Sequence, residues 1–264
     1  IIYIKHLYNF NSGEFMFYKK VTVDTILRGK ISIIQLKKGF RYGFEAVFLA
    51  AFVNGYLKKN KKNNFSLADV GSGVGTISLI IAYQNNNINI TSIENNKSFL
   101  KIASENIIKN NFQKKINVIE ADILNINRQL TNSFDFVVTN PPFYLDQQNR
   151  SENQLDNHAK RIINYESWIE GSLKILKDNG EIFLIIPTGL LEKSLISLSK
   201  KAGSFKIFPI WPDPKRSSKR LILIAKKGGS SPTELMSGLK LFNNQGKLTN
   251  KAKTYSDNGI FNFL

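Results

Sequence analysis

From Phe65 onward the chain alternates short apolar, β-rich runs with helical patterns, a rhythm that builds a sheet from successive βα units. Strands are predicted at Phe65 to Val70, Ile88 to Glu94, Ile116 to Glu120, Phe134 to Thr139, Glu181 to Pro187, Phe205 to Ile210 and Arg220 to Ala225. Helices are predicted at Thr76 to Tyr83, Lys97 to Lys109, Tyr165 to Leu176 before the turn Asp178-Asn179-Gly180, and Leu190 to Lys200. The expected class is α/β, with a mostly parallel, seven-stranded sheet covered by helices on both faces.

Upstream, Val21 to Gln35 reads as a strand pair, and Phe44 to Leu57 as a helix with an apolar stripe at Ala46, Val47, Leu49, Ala50 and Val53. The basic, Asn-rich run Lys58 to Asn64 is a solvated connector, and the Gly/Ser/Pro-rich tail from Lys226 is expected to lie on the surface. Met16 opens a segment that reads as a natural start, so residues 1–20 are expected to be a leader or non-native start. The expected division is then a hairpin and helix over 21–64, a core over 65–227 and an extension over 228–264.

Composition removes much other chemistry. The absence of cysteine excludes disulfides, thiolate zinc sites, iron–sulfur clusters and cysteine nucleophiles. With His6 and His158 the sole histidines, a multi-histidine metal site is not expected. No apolar run reaches the roughly 20 residues that span a bilayer, so a soluble, cytoplasmic monomer without metal or membrane partner is expected. The net charge of +17 points to a polyanionic partner. However, 30 of the 37 cations are Lys, and Asn also occurs 30 times, a surplus that A/T-rich codon drift produces.

Asp69-Val70-Gly71-Ser72-Gly73-Val74-Gly75-Thr76 follows the first strand of the core and opens a helix. Glycines at Gly71, Gly73 and Gly75 let the backbone turn sharply and approach a ligand, while the helix N-terminus offers unpaired N–H groups. Thr76 stands where a dinucleotide fingerprint more often has its third Gly, which disfavours NAD and favours another adenosine ligand. Glu94 ends the next strand, where a carboxylate can take both hydroxyls of a ribose. Asp122 follows the third strand, able to accept from an adenine amino group, and Asp69 can hold the loop or an ammonium. Each alone reads as a turn or a cap; their succession at consecutive strand ends reads as a site.

The fourth strand ends in Asn140-Pro141-Pro142-Phe143. Here the chain resembles the class I S-adenosylmethionine methyltransferases of the N-methylating branch, marked by Asn/Asp-Pro-Pro-Tyr/Phe. The resemblance implies a Rossmann-like sheet of order 3-2-1-4-5-7-6, with S-adenosyl-L-methionine as cofactor and a conjugated amino nitrogen as methyl acceptor. Asn140 and the Pro141 carbonyl would accept the protons of that nitrogen, Pro141 and Pro142 would stiffen the acceptors, and Phe143 would stack on the base.

The segments Thr22 to Lys30 and Gln35 to Ala51, with Trp168-Ile169, Pro209-Ile210-Trp211-Pro212 and Asp257-Asn258-Gly259, narrow the likeness to bacterial tRNA adenine-N6 methyltransferases that act on adenine 37 of a valine tRNA. That likeness implies that Arg41 and Tyr42 lie near the cofactor. Phe143 departs from the commoner Tyr and recurs in ribosomal guanine-N2 methyltransferases, so the base stays open between adenine and guanine. A protein N5-glutamine methyltransferase poses the same chemical problem, and an RNA-binding module on the same fold is the non-enzymatic alternative. Lys160, Arg161, Lys215, Arg216 and Lys219 are the candidate contacts to tRNA or another structured RNA. His158 is expected at the surface or a pocket rim, and Trp168 and Trp211 in core or interdomain space.

Overall fold

The computed structural model describes residues 21–38, 41–62, 64–142 and 164–263. Two strands, β1 (Val21–Ile26) and β2 (Ile31–Leu36), form an antiparallel hairpin. Helix α1 (Phe44–Lys59) leads into β3 (Phe65–Val70), α2 (Thr76–Gln84), β4 (Ile88–Glu94), α3 (Lys97–Lys109), β5 (Ile116–Glu120) and β6 (Phe134–Thr139). Then follow α4 (Tyr165–Ile175), β7 (Leu176–Pro187), α5 (Leu191–Ser199), β8 (Ala202–Trp211) and β9 (Arg220–Lys227). The tail adds β10 (Glu234–Leu235), β11 (Leu239–Lys240) and α6 (Asn250–Asn258).

The main sheet runs β5-β4-β3-β6-β7-β9-β8, with β9 antiparallel to both its neighbours and the other strands parallel. Counted along the core alone, this is the expected order 3-2-1-4-5-7-6. Because a parallel sheet is buried on both faces, its strands are apolar almost throughout and send alternate side chains each way. Phe136, Val138, Phe183 and Ile185 face α1, α2 and the tail, whereas Val137, Ile182, Leu184 and Ile186 face α4 and α5.

Three expectations are corrected. The predicted turn at Asp178 to Gly180 lies inside β7, where Asn179 takes φ 63° and the pairing with β6 shifts between Phe134 and Phe136. The extra residues bulge out of the ladder without ending the strand. Helix α1 has no simple stripe: every residue from Ala46 to Gly55 is buried, because α2 and the tail cover the side that a stripe would leave wet. The tail lies on the surface over much of its length, yet it is also paired and anchored, which the expectation lacked. β10 and β11 both pair in parallel with β8, and Leu239, Leu241, Ala252, Tyr255 and Phe261 enter the main core. A Cβ on Gly55 would sit 2.2 Å from the Phe261 carbonyl oxygen, so only glycine admits this close approach of tail to helix.

Two asparagines, Asn106 of α3 and Asn110 at its C-cap, dock the hairpin. The amides of Asn106 and Asn110, one helical turn apart, bond both the N–H and the C=O of Ile34 and Ser32, as a neighbouring strand would. Among the described residues, no helix is long and apolar enough to cross a membrane.

Candidate functional site

The parallel strands deliver their carboxyl ends to one edge of the sheet, where ligands of open α/β sheets bind. Gly71, Gly73 and Gly75 all take left-handed φ, at 70°, 55° and 85°. A side chain at any of them is strained, which is the physical reason for three glycines here. Gly75 caps α2 without a side-chain acceptor, so the first N–H groups of that helix face the loop.

The carboxylate of Glu94 holds the loop from below. Its Oε2 accepts the Gly73 N–H at 2.9 Å, and its Oε1 accepts those of Asn95 and Asn96, both at 2.9 Å. A carboxylate offers about four acceptor positions, so one remains beyond these three bonds. Burial raises the pKa of Glu94 and the three N–H bonds oppose that rise. Asp69 is fully buried, and its Oδ2 accepts the backbone N–H and hydroxyl of Ser78 at 3.1 and 2.7 Å. Burial outweighs those bonds and pushes its pKa to about 7, with the nearby charge of Glu94 adding to the rise.

The loop holds three buried oxygens without a hydrogen-bond partner among the described residues: Asp69 Oδ1, Ser72 Oγ and Thr76 Oγ1. Unpartnered buried polar atoms are costly, and three of the five such side-chain atoms among the described residues gather at this one helix N-terminus.

The end of β6 and the end of β3, from which the glycine loop starts, are tied through Thr139, the last residue of β6. The Thr139 hydroxyl donates to the Val70 carbonyl at 2.9 Å and accepts the indole N–H of Trp168 at 3.1 Å. Asn140 and Pro142 are half-buried and Pro141 is buried; they follow Thr139, which pairs with Val70 just before the glycine turn. At the third strand end, Asp122 Oδ1 accepts the Leu124 N–H at 3.0 Å, capping a short 3₁₀ turn.

Arg41 is paired with Asp24 at 2.6 Å and bonds Thr22 and the Leu36 carbonyl, all within the hairpin. The Tyr42 N–H donates to Gln35 Oε1 at 3.3 Å. Lys215, Arg216 and Lys219 lie in the β8–β9 loop, exposed, at the same sheet edge as Asn140. Phe143, His158, Lys160 and Arg161, with residues 1–20, fall outside the described residues. One contributor escaped the sequence reading: Asn106 also donates to the Val74 carbonyl at 2.9 Å, so a single amide joins hairpin, α3 and glycine loop. An isolated Asn on a helix carries no local pattern to announce this.

The family model of the methyltransferase small domain matches residues 52–208. The chain belongs to that family. The match takes in the glycine loop, Glu94, Asp122 and the Asn140-Pro141-Pro142 turn of this methyltransferase. Among curated relatives, the tRNA1(Val) (adenine(37)-N6)-methyltransferase of Flavobacteriaceae bacterium (strain 3519-10) is 28% identical, over 60% of this chain and 64% of its own length. The protein of the same name from Bacteroides thetaiotaomicron is 24% identical over 80% of each chain, and that from Histophilus somni 26% over 88% and 94%. Among solved structures, a predicted O-methyltransferase from Agrobacterium tumefaciens superposes with a TM-score of 0.67 at 20% identity, over 83% of this chain and 97% of that one. TYW2 of M. jannaschii, solved with AdoMet, gives 0.54 at 16% identity over 79% and 85%. These two likenesses carry the fold.

Proposed function

We propose that the chain transfers a methyl group from S-adenosyl-L-methionine to an exocyclic amino nitrogen in RNA, N6 of adenine 37 in a valine tRNA. The observation that supports this reading is the Thr139 bridge to Val70, after which the chain continues into Asn140-Pro141 on one strand and into the glycine loop, rich in unpartnered polar atoms, on the other. The names of the curated relatives supply the base and the RNA.

The loop residues fit this cofactor. The α2 N-terminus suits a carboxylate, Asp69 Oδ1 an ammonium, the remaining acceptor position of Glu94 a ribose hydroxyl and Asp122 an adenine amino group. When bound, the cofactor supplies an electrophilic methyl on a sulfonium. The protein supplies position and polarisation. An aryl amine is a weak nucleophile because its lone pair is delocalised. The Asn140 side-chain oxygen and the Pro141 carbonyl accept its two N–H groups and draw the nitrogen out of conjugation as it attacks. The surplus proton leaves to water, so the chemistry needs no histidine. The base is swung out of a partly stacked loop at a cost of a few kcal/mol, while Lys215, Arg216 and Lys219, with Lys160 and Arg161, hold phosphates.

The test is to incubate bulk tRNA, ribosomal RNA and a release factor separately with labelled methyl donor and to identify the product by mass. N6-methyladenosine in tRNA is the expected product. Label in guanosine or in a glutamine side chain overturns the substrate assignment. Asn140→Ala is expected to abolish transfer while calorimetry shows cofactor binding near the wild-type value.

A further inference from the structure

Apart from the glycine loop, the sheet edge carries a second concavity. The tail runs along the end of β8, with the Leu241 N–H on the Trp211 carbonyl at 2.8 Å and the Phe242 N–H on the Pro212 carbonyl at 2.9 Å. It then turns back through a loop in which Asn243 Oδ1 accepts the N–H groups of Gln245 and Lys247. Between this loop, the β8–β9 loop and the start of α1 lie two adjoining hollows of about 270 and 460 Å3 that share Arg216 and Phe242 as walls.

The floor of the inner hollow is apolar, made by Ile210, Pro212 and Leu241, with the ring of Phe44 at its mouth, 45% exposed. The rim of the two hollows taken together is cationic. Glu45 is held by Arg220 at 3.3 Å and Asp213 by Arg216. Lys215 and Lys219 have no carboxylate partner among the described residues. Four cations against two carboxylates leave an excess positive charge over an apolar, aromatic floor. That combination suits an unpaired nucleotide: the base has a face for Phe44 and Phe242, and the phosphate has charge for the rim.

The hollow also lies on the path of the substrate proposed above. In the sheet order β6-β7-β9-β8, Arg220 at the start of β9 stands two strands from Asn140 at the end of β6, roughly 10 Å at the usual strand spacing. Resting on the RNA reading of the active site, we infer that this groove takes an unpaired nucleotide of the same RNA that presents the target base. Its base lies on Phe44 and Phe242 and its phosphate on Lys215 and Lys219. The tail is thereby part of the substrate-binding surface.

The test compares the wild type with Phe44→Ala and with Lys215→Gln/Lys219→Gln, all exposed positions whose change spares the core. Binding of a fluorescent seven-nucleotide ribo-oligonucleotide is measured across a salt series, together with tRNA methylation kinetics and cofactor affinity. Each variant is expected to bind the oligonucleotide about five- to tenfold more weakly and to raise the KM for RNA, with cofactor affinity unchanged. The Lys pair should also lower the slope of log affinity against log salt by about 1.4, at about 0.7 per cation on a single strand. Wild-type affinity and slope in both variants, beside a wild type that methylates RNA, overturn the groove alone. A wild type that neither binds nor methylates RNA overturns the active-site reading and this one together. An acidic peptide that binds the wild type and is lost in the variants, while the oligonucleotide is not, overturns it in favour of a protein partner.

Discussion

The benzene edge of the Trp168 indole rests directly on the Cα of Gly71, where an added Cβ would meet two of its carbons at 2.8 and 2.9 Å. One ring thus backs the first turn of the glycine loop while its N–H steadies Thr139 one strand away. Gly71→Ala combines a left-handed φ of 70° with that clash. The expected cost is about 2 to 4 kcal/mol by urea unfolding.

Replacing Trp168 by Phe removes the carbons that clash and the indole N–H together, and alone should cost about 1 to 2 kcal/mol. In the Gly71→Ala background the same change should relieve part of the strain. The double variant is then more stable than the sum of the single effects by about 1 kcal/mol. Strict additivity would separate the two residues.

Asn106→Ala strips partners from the Ile34 N–H, the Ile34 carbonyl and the Val74 carbonyl in a fully buried setting. A loss of about 2 to 4 kcal/mol is expected. Hydrogen exchange should rise first in Val21–Leu36 and in the glycine loop, while the central strands stay protected. Uniform loss of protection would show that this amide does not dock the hairpin.

The glycine loop and the core strands were legible because the signals are local: apolar runs of strand length, left-handed positions filled by Gly, and a Pro-Pro turn after a strand; the order of those strands came with the family resemblance, not from the runs themselves. The hairpin anchor was not, since Asn106 meets Ile34 from 72 positions away and looks like any polar residue of α3. Nor was the tail. β10 and β11 are two residues each, and α6 reads Asn250-Lys251-Ala252-Lys253-Thr254-Tyr255, with Ala252 and Tyr255 its buried contacts. Such segments gain their structure from the surface they land on, and periodicity within the segment does not record it.

Stability should fall with rising pH through the Asp69 window. An unfolded Asp ionises near 3.8, while the buried group holds its proton to about 7. Between those values the folded state binds more protons than the unfolded one, so stability declines as pH rises and levels off above 7. Glu94, also raised by burial, adds a slope of the same sign. Asp69→Asn should therefore flatten, without abolishing, the drop in urea midpoint between pH 5 and pH 8. An unchanged profile would mean that Asp69 is ionised throughout.

β8 would be an outer strand were it not for β10 and β11, which lie along it in parallel. Bare strand margins recruit one another. Until Glu234 to Lys240 have settled there, a nascent or nicked chain presents an adhesive ladder of peptide groups to its own copies. These two short strands are thus what makes the sheet safe at high concentration, and weakening their pairing with β8 should show first as clumping, ahead of any loss of methyl transfer.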